Sequence, residues 1–350
     1  MPPHANSQYS GSTQRRMDVK TGMIHRERVH AALRNQEVDR LPVSMWRHFY
    51  DRETSPEGLA QAMLGFQHQF DWDFMKVNPR ASYHAEGWGL KVRYQGNSPP
   101  QVVNTPIRKP ADWLKLDVLP LDRGVLAEHL RALELIGREL KGEVPFLMTV
   151  FTPLSIAARL APSEEIFLEH LREHTKTVEH ALRVITETFI WFSKACLERG
   201  ASGLFYATTS WATRERMSEE EYSRFARPYD LKLLRALPAA EFHVLHVCRD
   251  HNLLRALQDY PVHAFNWDAR GKGNKSLAEG KALVNGQAVI GGLAHGQALV
   301  QATPRELAAE VFGMRVAMGT KGWMLGAGCT FAPETPEANV QAIRRAVETS

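Results

Sequence analysis

Residues 203–208 (GLFYAT), 218–237 (SEEEYSRFARPYDLKLLRAL) and 243–248 (HVLHVC) form the stretch from which the fold is read. Two short apolar, β-rich runs flank a segment that opens on a serine followed by three glutamates. A serine hydroxyl at a helix start accepts from otherwise unpaired backbone N–H groups, and acidic residues in the first turn suit the helix dipole. The pattern is strand, helix, strand. Because parallel neighbours need a crossover of this kind, the stretch reads as one β-α-β unit.

The same unit recurs in both directions along the chain. Further strand-like runs are residues 41–46 (LPVSMW), 74–78 (FMKVN), 146–151 (FLMTVF), 264–268 (AFNWD), 288–293 (AVIGGL) and 323–328 (WMLGAG), which brings the number to eight. Helical segments separate them. Thr21 precedes MIHRERVHAALRN, Ser163 opens one long helix that Gly200 ends, and Thr303–Pro304 and Thr335–Pro336 each place proline in the first helical turn, where its missing N–H costs nothing. Eight buried-type strands alternating with helices predict an α/β fold, a (β/α)8 TIM barrel, since closure leaves no sheet edge. A doubly wound open sheet is the rival, but no GxGxxG follows the first strand. Residues 87–103 read as an exposed β-hairpin inserted after strand 2. The expected organisation is a disordered leader over residues 1–22 and a single barrel domain over residues 23–350.

Composition narrows the class. Of 350 residues, 44% are hydrophobic and 23% charged, which describes a globular protein. No apolar run approaches the roughly 18–20 residues of a membrane span, and the N-terminus lacks the apolar core of a signal peptide. A net charge of +4 without an interleaved aromatic and basic stripe argues against a nucleic-acid partner. Three unpatterned cysteines suit a reducing, cytoplasmic setting.

Those cysteines carry the chemistry. His246 and Cys248 lie two apart, so a strand presents both to one face, and Cys329 directly follows the last run. Imidazole and thiolate are ligands that Zn²⁺ prefers, and three protein ligands with an open fourth position mark a catalytic zinc. The competing reading is that buried cysteine acts as a small apolar filler, which suits Cys196 in its helical segment. In a barrel, catalytic groups gather at the C-terminal ends of strands. His246, Cys248 and Cys329 all fall there, so ligands distant in sequence converge on one face.

From about residue 27 to 347 the chain resembles the uroporphyrinogen decarboxylase superfamily, through ERVHAALRNQEVDRLPVSMW (27–46), FDWDFMKVNP (70–79), GASGLFYAT (200–208), HVC (246–248) and GAGCTFAPETPEAN (326–339). Members are (β/α)8 barrels. Two activities are implied. Porphyrinogen decarboxylases carry an arginine-rich stretch, an aspartate and a late histidine. Here Arg47 takes the place of the first arginine, Asn78 or a neighbour stands where the aspartate belongs, and Cys329 replaces the histidine. The other branch, the cobamide-dependent methyltransferases, has the zinc motif His-x-Cys and a later Cys, matched by His246, Cys248 and Cys329. The resemblance to that branch implies Zn²⁺, a corrinoid (methylcobalamin) methyl donor carried on a partner protein, a small-molecule methyl acceptor such as a thiol, and a homodimer. A barrel that binds a corrinoid or porphyrin without turnover is the third reading. Among the remaining residues, His295 is a candidate fourth ligand or acid/base. Asp268 is a candidate to orient a ligand histidine. Trp46, Arg47, His48, Asn78 and Tyr206 are candidates for substrate binding, with Trp88 and Trp211 at an apolar mouth.

Overall fold

The computed structural model describes residues 22–348. The leader expected over residues 1–22 lies, but for Gly22, outside the described residues. Seven strands form one parallel sheet: β1 (Met75–Val77), β4 (Phe146–Phe151), β5 (Gly203–Ala207), β6 (Val244–Val247), β7 (Ala264–Trp267), β8 (Ala288–Leu293) and β9 (Trp323–Ala327), each paired with the next. Between β1 and β4, β2 (Lys91–Arg93) and β3 (Gln101–Asn104) pair antiparallel as a separate sheet. The protein is thus an α/β molecule built on a curled, barrel-like parallel sheet with helices outside it.

Strand residues alternate between two apolar layers, as the pleat requires. Phe205, Ala207, Val244, Ile290 and Met324 join Trp46 and Phe74 in a cluster inside the curl, whereas Leu204, Tyr206, Leu245 and Val247 pack in the layer shared with the helices. Gly203 has to be glycine for lack of space: a Cβ there would lie 1.7 Å from the Phe242 carbonyl oxygen.

Residues 41–46 are not a regular strand. Only Val43 bridges, to Leu325, yet the segment bonds on both sides. Ser44 N donates to Leu325 O and Leu325 N to Pro42 O, at 3.1 and 2.8 Å, while Asp73 N donates to Val43 O at 2.9 Å. Pro42 has no N–H to offer, and the Val43 N–H is taken by the Asp73 carboxylate at 2.8 Å. A side chain therefore replaces part of the ladder.

Asp73 is the hub of that end of the sheet. Its buried carboxylate also accepts from Arg28 (2.7 Å), Arg40 (2.6 Å) and His25 (3.1 Å), so the helix His25–Leu33 and the segment after it are tied to the sheet floor. His25 also reaches Asp71 at 2.9 Å, and Arg344 of the helix Glu337–Ala346 bonds Asp71 at 2.7 Å.

Two helical expectations change. The helix from Ser163 is two, Glu164–Glu173 and Thr175–Glu198, parted at His174, whose φ of −120° and ψ of 37° leave the helical region. The helix from Ser218 also breaks, into Glu219–Phe225 and Arg227–Arg235, because Pro228 cannot donate to the turn before it. Ser163, Ser218 and Thr303 do accept from the N–H three residues on. Thr335 makes no such cap, and the last helix starts at Glu337 behind Pro336.

Candidate metal centre

Strand alternation aims His246 and Cys248 into the curl. Cys329 arrives from β9 through Gly328, where a Cβ would lie 2.7 Å from the Asp268 Cα; the close approach of these two loops brings the third candidate donor in. The donor atoms of His246, Cys248 and Cys329 all lie within 4.8 Å of one another. The two sulfurs are 3.8 Å apart, far beyond a disulfide bond. Two Zn–S bonds of about 2.3 Å at a tetrahedral angle span about 3.8 Å, so the spacing fits zinc.

The histidine is set for coordination. Asn266 lies beside it on β7, and its amide Nδ2 donates to Ile290 O (2.9 Å) and Ala327 O (3.1 Å). With the NH₂ end so fixed, Oδ1 accepts from His246 Nδ1–H at 2.6 Å, leaving the Nε2 lone pair for a metal. The ring stacks on Phe205 at 5.4 Å. Without a metal, the contact with Cys248 holds the Cys329 thiol well below its ordinary pKa, and the same contact keeps Cys248 protonated. The contact thus drives the acidities of the two thiols apart, and a metal held by both would release protons on binding.

Asn266→Ala should weaken zinc binding roughly 10- to 100-fold with the three ligands intact, as measured by competition against a chromogenic chelator. Unchanged affinity would remove Asn266 from the site.

A cavity of about 460 Å³ opens over the triad. Its lining includes Trp46, His48, Asn78, Asp268 and His295 of the sequence candidates. His48 Nδ1 pairs with the buried Glu53 carboxylate at 3.0 Å. Asn78 Nδ2 is buried without a partner. His295 and Asp268 face each other at 3.5 Å, so Asp268 attends His295, and Asn266 is the residue that orients His246.

Other candidates lie elsewhere. Arg47 bonds Pro333 O at 2.9 Å and covers Phe49; it does not line the cavity. Tyr206 points outward, its hydroxyl donating to Asp230 at 3.0 Å. Tyr222 and Tyr260 donate to the same carboxylate, a structural knot in which burial raises Asp230 to about 6. Trp88 bonds Asp117 O, and Trp211 packs edge-on against Phe167.

Lys76 was missed, though a lysine inside an apolar strand is itself a signal. It is buried and lines the same cavity. Its ammonium donates to Asn78 Oδ1 at 2.6 Å and lies 4.8 Å from the Phe205 ring centre. Burial pushes its pKa down to about 7, against the pull of Cys329 and Glu53. Backbone strain collects at this rim too. Thr209 (φ 47°), after β5, and Arg249 (φ 77°), next to Cys248, are left-handed without being glycine, a cost that concentrates at working sites.

The profile of the uroporphyrinogen decarboxylase (URO-D) family matches residues 24–350. The chain belongs to this family. Among curated relatives it is 23% identical over 338 residues to the methylcobamide:CoM methyltransferase MtbA of Methanosarcina mazei, covering 90% of this chain and 95% of that one. The figures for MtaA of Methanosarcina barkeri are 23% over 331 residues, with 90% and 95% covered. Among solved structures, a methyltransferase from Methanosarcina mazei superposes with a TM-score of 0.81 at 22% identity, over 93% of this chain and 98% of that one. That likeness places this URO-D chain in the same fold. Among its described residues, no helix is long and apolar enough to cross a membrane.

Proposed function

We propose that this URO-D family enzyme moves a methyl group from a methylcorrinoid to a thiol at a zinc ion held by His246, Cys248 and Cys329. The observation that carries the reading is the triad: two sulfurs at zinc spacing and an imidazole whose free nitrogen is fixed by Asn266. The relatives named for methylcobamide:CoM methyl transfer support it. The fold belongs to the same proposal. The segment 42–44, bonded to both sheet edges, serves as the eighth stave of a (β/α)8 barrel, with the β2–β3 pair inserted on it.

Zinc held there by His246, Cys248 and Cys329 would lower the pKa of an acceptor thiol and so favour its nucleophilic form. The chain's own residues supply the rest. Lys76 places positive charge beside a cluster that gains negative charge when an acceptor thiol loses its proton. His48, held through Nδ1 by Glu53, offers its other nitrogen to that proton. Trp46, Phe151 and Phe205 give the cavity apolar walls that limit water around the sulfur. His295 and Asp268 stand at the rim as a second acid/base pair. The donor is proposed to be carried on a separate corrinoid protein, and the chain to work as a homodimer in the cytoplasm, where reduction keeps thiols this close from joining.

The decarboxylase reading fits the site poorly. Holding a protonated pyrrole takes a carboxylate, and in that place stand Lys76 on β1 and Asn78 just after it. The test is direct: zinc-replete protein, methylcobalamin and a panel of thiols, with loss of methylcobalamin and formation of thioether followed together. Turnover with one zinc per chain is expected. Zinc-replete protein that methylates no thiol in the panel overturns the proposal.

A further inference from the structure

Cys248 and Cys329 stand at the ends of β6 and β9, 81 residues apart in sequence and 3.8 Å apart at sulfur. Each lies past the last paired rung of its strand: the β6–β7 ladder closes at Val247 and the β8–β9 ladder at Ala327. His246, by contrast, is itself a rung and is held by Asn266. The two sulfurs are therefore carried on loops, and a turn of the side chains can bring them together without parting a strand. Reaching the ~2.05 Å of a disulfide takes a movement of less than about 2 Å.

Access is the second observation. Both cysteines are partly exposed, and both line the cavity of about 460 Å³, where Trp46, Phe151, Phe205 and Ala207 make apolar walls. A small organic disulfide, uncharged and weakly polar, suits such a space. The third cysteine differs on both counts: Cys196 is fully buried in the helix Thr175–Glu198 and does not line the cavity. Two thiols at this separation, open to one chamber, have the arrangement that thiol–disulfide exchange requires, an attacking sulfur with a resolving sulfur beside it.

We propose that Cys248 and Cys329 also form a dithiol site that reacts with the disulfide of a small thiol, closing a reversible Cys248–Cys329 bond that expels the metal. One cysteine thiolate attacks a sulfur of R–S–S–R; that bond breaks, RS⁻ leaves and a mixed disulfide remains. The other cysteine sulfur, already 3.8 Å away, attacks the protein sulfur of the mixed disulfide, joins it and expels the second RS⁻. The pair is oxidised and R–S–S–R is reduced to two R–SH. The two protons come from the cysteines or, when a metal holds both as thiolates, from water. Joined sulfurs are no longer thiolate donors to Zn²⁺, and His246 alone is left to hold it. On the methyl-transfer reading above, on which this regulatory sense rests, R–SH is of the acceptor's own class, so the enzyme stops when its acceptor pool is oxidised and restarts when the pool is reduced.

Bis(2-hydroxyethyl) disulfide in excess over full-length, zinc-loaded protein tests this, with a chromogenic chelator reading released zinc and intact mass and thiol counts reading the chain. Zinc should be released in full, free thiols should fall from three to one, and the chain should end two hydrogens lighter, with peptide mapping joining Cys248 to Cys329. Reduction with 2-mercaptoethanol in the presence of zinc should restore the metal. Cys196→Ser should react as wild type does, whereas Cys329→Ser should stop at a mixed disulfide on Cys248, one adduct heavier. A wild type that ends as a mixed disulfide, links Cys196 or keeps three free thiols overturns the proposal while leaving the metal centre standing. Metal-free protein separates the two ideas. If the chain takes up no zinc at all, the same cross-link in metal-free protein still supports the dithiol site. If zinc is held and the loaded chains stay inert to the reagent, the switch is overturned.

Discussion

Cys329→Ser should purify without stoichiometric zinc and lose methyl transfer by more than the roughly 100-fold that removal of an outer partner of a ligand costs. A serine hydroxyl stays protonated at neutral pH and cannot replace a thiolate as donor to Zn²⁺. The loss should extend to binding, since the remaining pair, His246 and Cys248, leaves half of a tetrahedral site to water. Cys196→Ser is the matched control. Cys196 is fully buried in the helix Thr175–Glu198, and burial holds its thiol well above the ordinary pKa, so metal content should not change. Metal analysis of wild type and both variants, expressed without a metal-binding tag, reads the result. One zinc per chain, held by Cys329→Ser as firmly as by wild type, would remove the cysteine from the centre and the proposed chemistry with it.

At the opposite end of the sheet, Asp73→Ala should destabilise the fold by about 3–5 kcal/mol, the cost typical of breaking a buried ion pair from one side. Arg40 would lose its carboxylate, Arg28 would keep only Asp39 of its two, and the Val43 N–H would lose its acceptor. Denaturant unfolding measures this, and a change below about 1 kcal/mol would show that the hub is dispensable. The network also has a pH signature. Burial alone would raise the Asp73 pKa, but His25, Arg40 and Arg28 outweigh it and hold the carboxyl below its ordinary value; its stabilisation is present above about pH 4 and fades as pH falls. The bonds to Asp71 and Asp73 raise His25 to about 9. Its contribution is complete below about pH 6.5 and is lost as pH climbs through 9.

How much of this was legible in the sequence depends on what set each feature. Seven of the eight strand runs are strands because a parallel strand covered on both faces has to be apolar along its length. The exception, residues 41–46, is decided by a carboxylate thirty residues away, which no local pattern carries. The helix from Ser163 reads as continuous because its apolar spacing is continuous; the break is a backbone departure at His174 that this spacing does not mark. The triad was legible through side-chain parity on one strand. Tyr206 was misjudged for want of the same argument on β5, where Phe205 and Ala207 face the interior and Tyr206 therefore cannot. Asn266 pairs in register with His246 across β6 and β7, a relation that appears only once the strands are aligned.

The Asn266 amide ties β7 to the carbonyls of Ile290 on β8 and Ala327 on β9, and its oxygen holds the imidazole on β6. One side chain thus spans the strands that deliver all three donors. The three candidate donors are aligned through the hydrogen bonds of a single amide. Loss of that one amide would therefore loosen three strand ends together, so the three donor residues keep or lose their common alignment as a unit.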